Sequence, residues 1–191
     1  MQNIQEAVTR LKQGQVISFY SEEGWVIGCD ASNAAAADRL VAMKPAGYAD
    51  PVTVLIGEIG QLQQFMEAVP EIAWDLVEFA EKPLTVIYPK GKNIAPSLLA
   101  ADGRIAVRLA KETEGNPTVT QGLVRRFGRG LAVIPSSHSN APTHINSSEV
   151  EGAISKIVDF SLDLNSKAVI KPQLSTLVRL EINGQITFLR R

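Results

Sequence analysis

The first stretch of this chain with chemical potential runs from Val16 to Asn33: Val-Ile-Ser-Phe-Tyr-Ser-Glu-Glu-Gly-Trp-Val-Ile-Gly-Cys-Asp-Ala-Ser-Asn. It opens apolar and β-rich, breaks at Ser21-Glu22-Glu23-Gly24, and resumes apolar through Ile27. It then closes on a turn, Gly28-Cys29-Asp30, leading into Ala31-Ser32-Asn33. The pattern predicts strand, loop, strand and a capped helix start. Backbone N–H groups at a helix N-terminus beside a polar loop can face an anion, so anion binding is one reading and an ordinary strand connection is the other. Cys29 is the lone cysteine; it allows no internal disulfide, fits a reducing cytoplasm, and reads as a small buried residue rather than a catalytic thiol. With only His138 and His144 beside it, a zinc site is not expected. Ser136 to Asn140 reads as a turn rich in local side-chain-to-backbone bonds.

The elements that would hold such groups follow from periodicity. The 191 residues suit one domain, 1–191, large enough for a core without staples. Hydrophobic residues make up 45% and charged residues 20%, as in soluble globular proteins. The net charge of −1 creates no global field toward nucleic acid or anionic lipid. The N-terminus lacks the features of a signal peptide, and no apolar run is long enough to span a membrane. Ile4, Ala7, Val8 and Leu11 form one helical stripe, with Asn3 as cap and Gly14 as stop. Helices are expected over Asn33 to Met43, Ile59 to Met66, Pro70 to Ala80, Asn116 to Phe127 and Ser148 to Ile154. In the third of these Ile72, Leu76, Val77 and Phe79 take the apolar positions. Strands are expected over Pro51 to Ile56, Pro83 to Tyr88, Arg104 to Leu109, Leu131 to Ile134, Val158 to Asp163, Ala168 to Ile170, Leu174 to Leu180 and Gln185 to Arg190. Asn183-Gly184 should join the last two as a hairpin. Helices interleave with strands early and strands crowd the end, a mixed α/β pattern.

Tyr20 to Asn33 resembles the signature of the YrdC/YciO family, Pro-Thr-(Glu/Asp)-Thr-Val-Tyr-Gly-Leu-Gly-Cys-Asp-Ala-Thr-Asn, without a gap. Its end is kept and its beginning altered; Ser21 falls on the first threonine of that signature and Glu23 on the second. The resemblance continues along nearly the whole chain. Lys44-Pro45-Ala46 to Pro51-Val52 resembles Lys-x-Arg-Pro-x-x-x-Pro-Leu, with Ala46 in place of the arginine. Lys82-Pro83-Leu84-Thr85 resembles the second half of Trp-Pro-Gly-Pro-Leu-Thr. Val107-Arg108-Leu109-Ala110 resembles Val-Arg-(Val/Met)-Pro. The family's Thr-Ser-Ala-Asn-x-Ser-Gly falls on Ile134 onward, so that Ser137 stands for the asparagine and Ser139 keeps the second serine. Leu174 to Leu180 and Phe188-Leu189-Arg190 resemble the C-terminal pattern, keeping Ser175, Thr176 and Arg190.

The resemblance implies a twisted, open mixed sheet with flanking helices and a concave face. The best-known members are threonylcarbamoyl-AMP synthases of tRNA modification, which use ATP (with Mg), threonine and bicarbonate; beyond ATP as substrate no cofactor is implied. Carried over, the ligand-binding set is Ser21, Lys44, Arg108, Ser137, Ser139, Ser175 and Arg190. In the family the lysine and the lost arginine grip phosphates, and an arginine fork makes paired charge-assisted bonds that alanine cannot. From the residues alone, Lys44 also reads as a solvated helix-end lysine, and Arg108 as an edge-strand arginine in a surface ion pair. Glu23 adds negative charge where phosphate would bind. Each lost contact to a charged ligand is worth about 1.5–3 kcal/mol, so two cost about 10²–10⁴ in affinity. The expectation is a cytoplasmic, divergent member, translation-linked, binding a nucleotide or double-stranded RNA in its cleft with weak or no synthase activity. The alternative is an active synthase. Arg125, Arg126, Arg129, Lys90 and Lys92 are the local candidates for RNA contact. The oligomeric state is left open.

Overall fold

The computed structural model describes residues 2–111, 119–136, 156–162 and 172–191. Five α-helices, α1 (Gln2–Lys12), α2 (Ala34–Ala42), α3 (Leu62–Phe65), α4 (Ile72–Glu78) and α5 (Thr120–Phe127), flank nine strands among these residues. The strands are β1 (Ile17–Ser21), β2 (Gly24–Asp30), β3 (Thr53–Ile56), β4 (Leu84–Tyr88), β5 (Ile105–Leu109), β6 (Leu131–Pro135), β7 (Phe160–Ser161), β8 (Thr176–Leu180) and β9 (Ile186–Arg190). They form one mixed sheet in the order β7-β1-β2-β6-β3-β5-β4-β8-β9. The pairs β1–β7, β3–β5 and β4–β8 are parallel and the others antiparallel.

Strand alternation divides the core into two layers. On one face Ala7, Val8 and Leu11 of α1 and Leu123, Val124 and Phe127 of α5 cover Phe19, Val26, Leu55, Leu131 and Val133. On the other, α2, α3 and α4 cover Val54, Val86, Val107, Ala132 and Val178. Each fully buried Leu or Val contributes about 1.5–3 kcal/mol of transfer free energy, so these layers hold the sheet between its helices.

Local chemistry sets most boundaries. The Asn33 side chain accepts from the Ala36 N–H at 3.0 Å and caps α2. Gly128, at φ +72°, ends α5 in the left-handed conformation that glycine adopts without strain. Gly184, at φ +84°, turns β8 into β9.

Several expectations change. Asn3 lies inside α1 rather than capping it. Gly28-Cys29-Asp30 is strand, because these residues pair with Val133, Ala132 and Leu131 of β6; ladder bonds override the local turn signal. Ile59 to Met66 is a 3-10 turn followed by α3, where the Gln61 side chain accepts from the Gly57 and Glu58 N–H groups. Ile72 and Phe79 are 42% and 75% exposed and are not core. The strand expected to start at Pro51 starts at Thr53. Asn116-Pro117, the helix over Ser148 to Ile154 and the strand over Ala168 to Ile170 lie outside the described residues.

The α1–α5 layer reaches β3 and, past the end of β5, Ala110. Beyond it the same sheet face carries Ile87, Ala106 and Leu177 as a small apolar group, with Arg108 and Thr85 in the same row. That row runs Leu55, Arg108, Thr85, Leu177 across β3, β5, β4 and β8. The β1–β2 turn bends over it. Two strands separate β2 from β5, yet Glu22 and Glu23 touch Arg108. Only a sheet coiled by its own twist brings them together.

Candidate functional site

Arg108 is the buried centre of a network of ion pairs. It lies on β5 between β3 and β4, in the middle of the sheet and not on an edge, and is 1% exposed. Removing a guanidinium from water is costly unless it is paired. The Glu22 Oε1 lies 3.2 Å from its Nε, and the Glu23 Oε2 lies 2.5 Å from its Nη1. These are contacts of distance and charge rather than an aligned fork; none of the three guanidinium nitrogens has a well-directed hydrogen-bond acceptor. Burial opposes the charge on Arg108, but Glu23 and then Glu22 outweigh it, and the guanidinium is held above its ordinary pKa.

Glu23 has a different partner on each oxygen. Its Oε1 accepts the Ser175 backbone N–H at 2.8 Å while Oε2 faces Arg108. Burial pushes the carboxyl pKa up, yet the Arg108 charge, helped by the hydrogen bond from Ser175, leaves it below the usual carboxylate value. The turn that presents it is built locally. The Ser21 hydroxyl donates to the Gly24 carbonyl at 3.0 Å and accepts the Glu23 N–H at 3.1 Å. The Gln173 N–H donates to the Glu22 carbonyl at 2.8 Å, fastening the turn to the segment before β8.

The second wall is the loop from Lys44 to Asp50. The Lys44 Nζ donates to the Asp50 carbonyl at 3.0 Å and lies 5.4 Å from the centre of the Tyr48 ring. The Asp50 carboxylate pairs with Arg190, whose Nε donates to the Ser175 carbonyl at 3.1 Å. The Ser175 hydroxyl and the Thr85 hydroxyl share a hydrogen bond of 2.8 Å. Tyr48 lines the same cavity as Asp50 and Glu23, and burial, then the charges of those two acids, raise its phenol pKa. Between the walls lies a cavity of about 50 Å³ that Trp25, Thr53 and Leu177 also line. Ligand pockets hold roughly 300–1,000 Å³.

The structure links Lys44, Arg108, Ser175 and Arg190 through a continuous set of contacts; Ser175 and Arg190 line the cavity, Arg108 reaches it through Glu23, and Lys44 through Asp50. Ser21 is fully buried and spends its hydroxyl on the turn. Ser137 and Ser139 lie outside the described residues. Glu22, Asp50, Tyr48 and Thr85 belong to the site although the sequence reading did not choose them. One signal was available: an arginine within the apolar run Ile105-Ala106-Val107-Arg108-Leu109 requires a counter-charge, and Glu22-Glu23 is an acidic pair in the leading motif. Cys29 is buried, and burial, then the nearby Asp30, push its thiol up to about 12, an inert state. Among the described residues no group of three or more His, Cys, Asp or Glu could hold a metal ion, and no helix there is long and apolar enough to cross a membrane. Of the cations considered for RNA, Arg125 pairs with Glu58 at 3.0 Å, Arg129 with Asp30 at 3.0 Å and Lys90 with Glu67 at 3.8 Å.

Comparison with known proteins places this geometry. The threonylcarbamoyl-AMP synthase of Chromohalobacter salexigens is 26% identical over 156 residues, 81% of this chain and 82% of that protein. That of Stenotrophomonas maltophilia is 25% identical over 187 residues, 96% of each. The crystal structure of E. coli YciO superposes with a TM-score of 0.76 at 19% identity, covering 98% of this chain and 88% of that one. P. abyssi Sua5 complexed with L-threonine gives a TM-score of 0.77 at 20% identity over 98% of this chain; this chain spans only 53% of that protein. The model of the Sua5/YciO/YrdC domain, described as "Telomere recombination", matches residues 9–191. With that match over nearly its whole length, the chain belongs to the Sua5/YciO/YrdC family.

Proposed function

We propose that this chain is a divergent Sua5/YciO/YrdC protein linked to tRNA modification, whose concave cleft binds a nucleotide with weak or no threonylcarbamoyl-AMP synthase activity. One observation carries this reading: the cations of the cleft are already engaged by the chain itself. Arg190 is held by Asp50, Lys44 by the Asp50 carbonyl and the Tyr48 ring, and Arg108 by Glu22 and Glu23. Ala46, one residue beyond Pro45, offers no second cation to a polyphosphate. A triphosphate would have to break internal ion pairs before gaining its own, which cancels much of the electrostatic gain.

An active synthase acting on ATP, threonine and bicarbonate is the competing reading. It is favoured by the linkage of Lys44, Arg108, Ser175 and Arg190 in one network of contacts and by the names of the relatives. Pyrophosphate release from ATP, dependent on threonine and bicarbonate, separates the two. The purified chain should release little; turnover matching a family synthase assayed beside it would establish the competing reading.

A further inference from the structure

Glu23 sits where a bound anion would sit. One carboxylate oxygen faces the Arg108 guanidinium at 2.5 Å and the other takes the Ser175 N–H at 2.8 Å. A guanidinium and a backbone N–H converging on two oxygens is a receptor for any carboxylate or phosphate. Glu23 does not reach this position from a neighbouring strand. It arrives from the β1–β2 turn, over two intervening strands, held by the Ser21 hydroxyl and by the Gln173 bond to Glu22. Arg108 does not depend on Glu23 alone for neutrality, because Glu22 stands 3.2 Å from its Nε. The Arg108 nitrogens are buried, and Glu23 stands between the guanidinium and the cavity that it lines.

We propose that Glu23 is the specificity-determining residue of this cleft: its carboxylate is a resident anion on Arg108 and the Ser175 N–H, and it excludes ligands that would bring an anionic group to that position. The inference rests on the cleft being the binding site. It adds that selection occurs by charge at one residue of the turn. Glu23→Gln keeps the shape and an acceptor for the Ser175 N–H while removing the charge. Glu23→Thr removes the side chain's reach as well, and Glu23→Asp keeps the charge.

The test is calorimetric titration of the full chain with inorganic pyrophosphate at low and high salt. The wild-type chain and Glu23→Asp should show no saturable binding at about millimolar pyrophosphate. Glu23→Thr, which vacates the position, should bind about tenfold or more tightly than wild type, since one charge-assisted contact is gained and one repulsion lost; Glu23→Gln, which still fills it, should gain less, from the lost repulsion alone, and both gains should shrink with salt. Folded Gln and Thr variants that titrate like wild type would overturn the assignment, as would wild-type binding as tight as theirs. If neither variant gives a cooperative urea transition, Glu23 is a structural counter-ion only and the assignment also falls. Synthase turnover by the wild-type chain would overturn the reading of weak activity but not this assignment, which the pyrophosphate titration decides.

Discussion

Leu55 and Arg108 are register partners on adjacent parallel strands, they point to the same side of the sheet, and both are fully buried. Leu55 lies under α1 and α5 among Phe19, Val26, Leu123 and Phe127. Arg108, one strand further, lies beyond the reach of those helices and is covered by the two carboxylates of the β1–β2 turn. The covered half needs only apolar volume, and many sequences could supply it. The uncovered half needs specific charges at specific places, because a buried ion is tolerated only with its partner. That asymmetry within one row marks where the buried charges lie.

The largest expected effect comes from breaking the charged half. Arg108→Ala should cost about 3–5 kcal/mol of unfolding free energy by leaving Glu22 and Glu23 buried and unpaired. Leu55→Ala should cost about 2–5 kcal/mol through lost transfer energy and cavity, so magnitude alone does not separate the two. The pH dependence does. The Glu23 carboxyl is depressed in the folded state, so its stabilising share is complete above the unfolded value near 4.5 and is lost as pH falls through the folded value. With Arg108 removed that depression disappears and protonation relieves the buried charges. Urea midpoints from neutral to acid pH should therefore show the Arg108→Ala penalty shrinking while the Leu55→Ala penalty stays constant. Parallel profiles for the two variants would contradict the division of the row.

An intermediate effect is expected on the opposite wall of the cleft. Ala46→Arg should strengthen ATP binding by about 1.5–3 kcal/mol, since a planar fork supplies the phosphate contacts that Lys44 alone cannot. The gain should be greatest for the triphosphate, less for AMP, and reduced by salt. Equal gains for ATP and AMP would show that the loop from Lys44 to Asp50 does not face the phosphates.

The smallest effect is expected outside the cleft. Arg125 and Glu58 form an ion pair at 3.0 Å with side chains 52% and 66% exposed. Arg125→Ala should change stability by less than about 1 kcal/mol. A loss comparable to that of Arg108→Ala would mean that burial is not what makes the cleft pairs strong.

The fold was largely legible in the sequence where the signals are local. Asn33 caps α2, Gly128 ends α5, and Asn183-Gly184 turns the last hairpin, each through contacts within a few residues. Misreadings occurred where a distant partner decides. Gly28-Cys29-Asp30 has the composition of a turn, but β6 supplies a ladder and makes it strand. Ile72 and Phe79 have the spacing of a buried stripe, yet the layer packed on the sheet takes up Ala73 and Val77 of α4 instead.

The candidate site shows the same boundary. Lys44, Arg108, Ser175 and Arg190 were chosen from motif positions, and the sequence also placed a negative charge at Glu23. Their linkage into one network, the central position of Arg108, and the pairing of Arg190 with Asp50 came only from the tertiary structure. By itself the sequence determined most of the elements, the Asn33 cap, the Gly128 stop and the Asn183-Gly184 turn, and the presence of an arginine in an apolar strand. Tertiary structure decided which acid neutralises that arginine, because electrostatic partners are selected by distance in space, and the twist of nine strands brings residues remote in the chain to within 3 Å of one another.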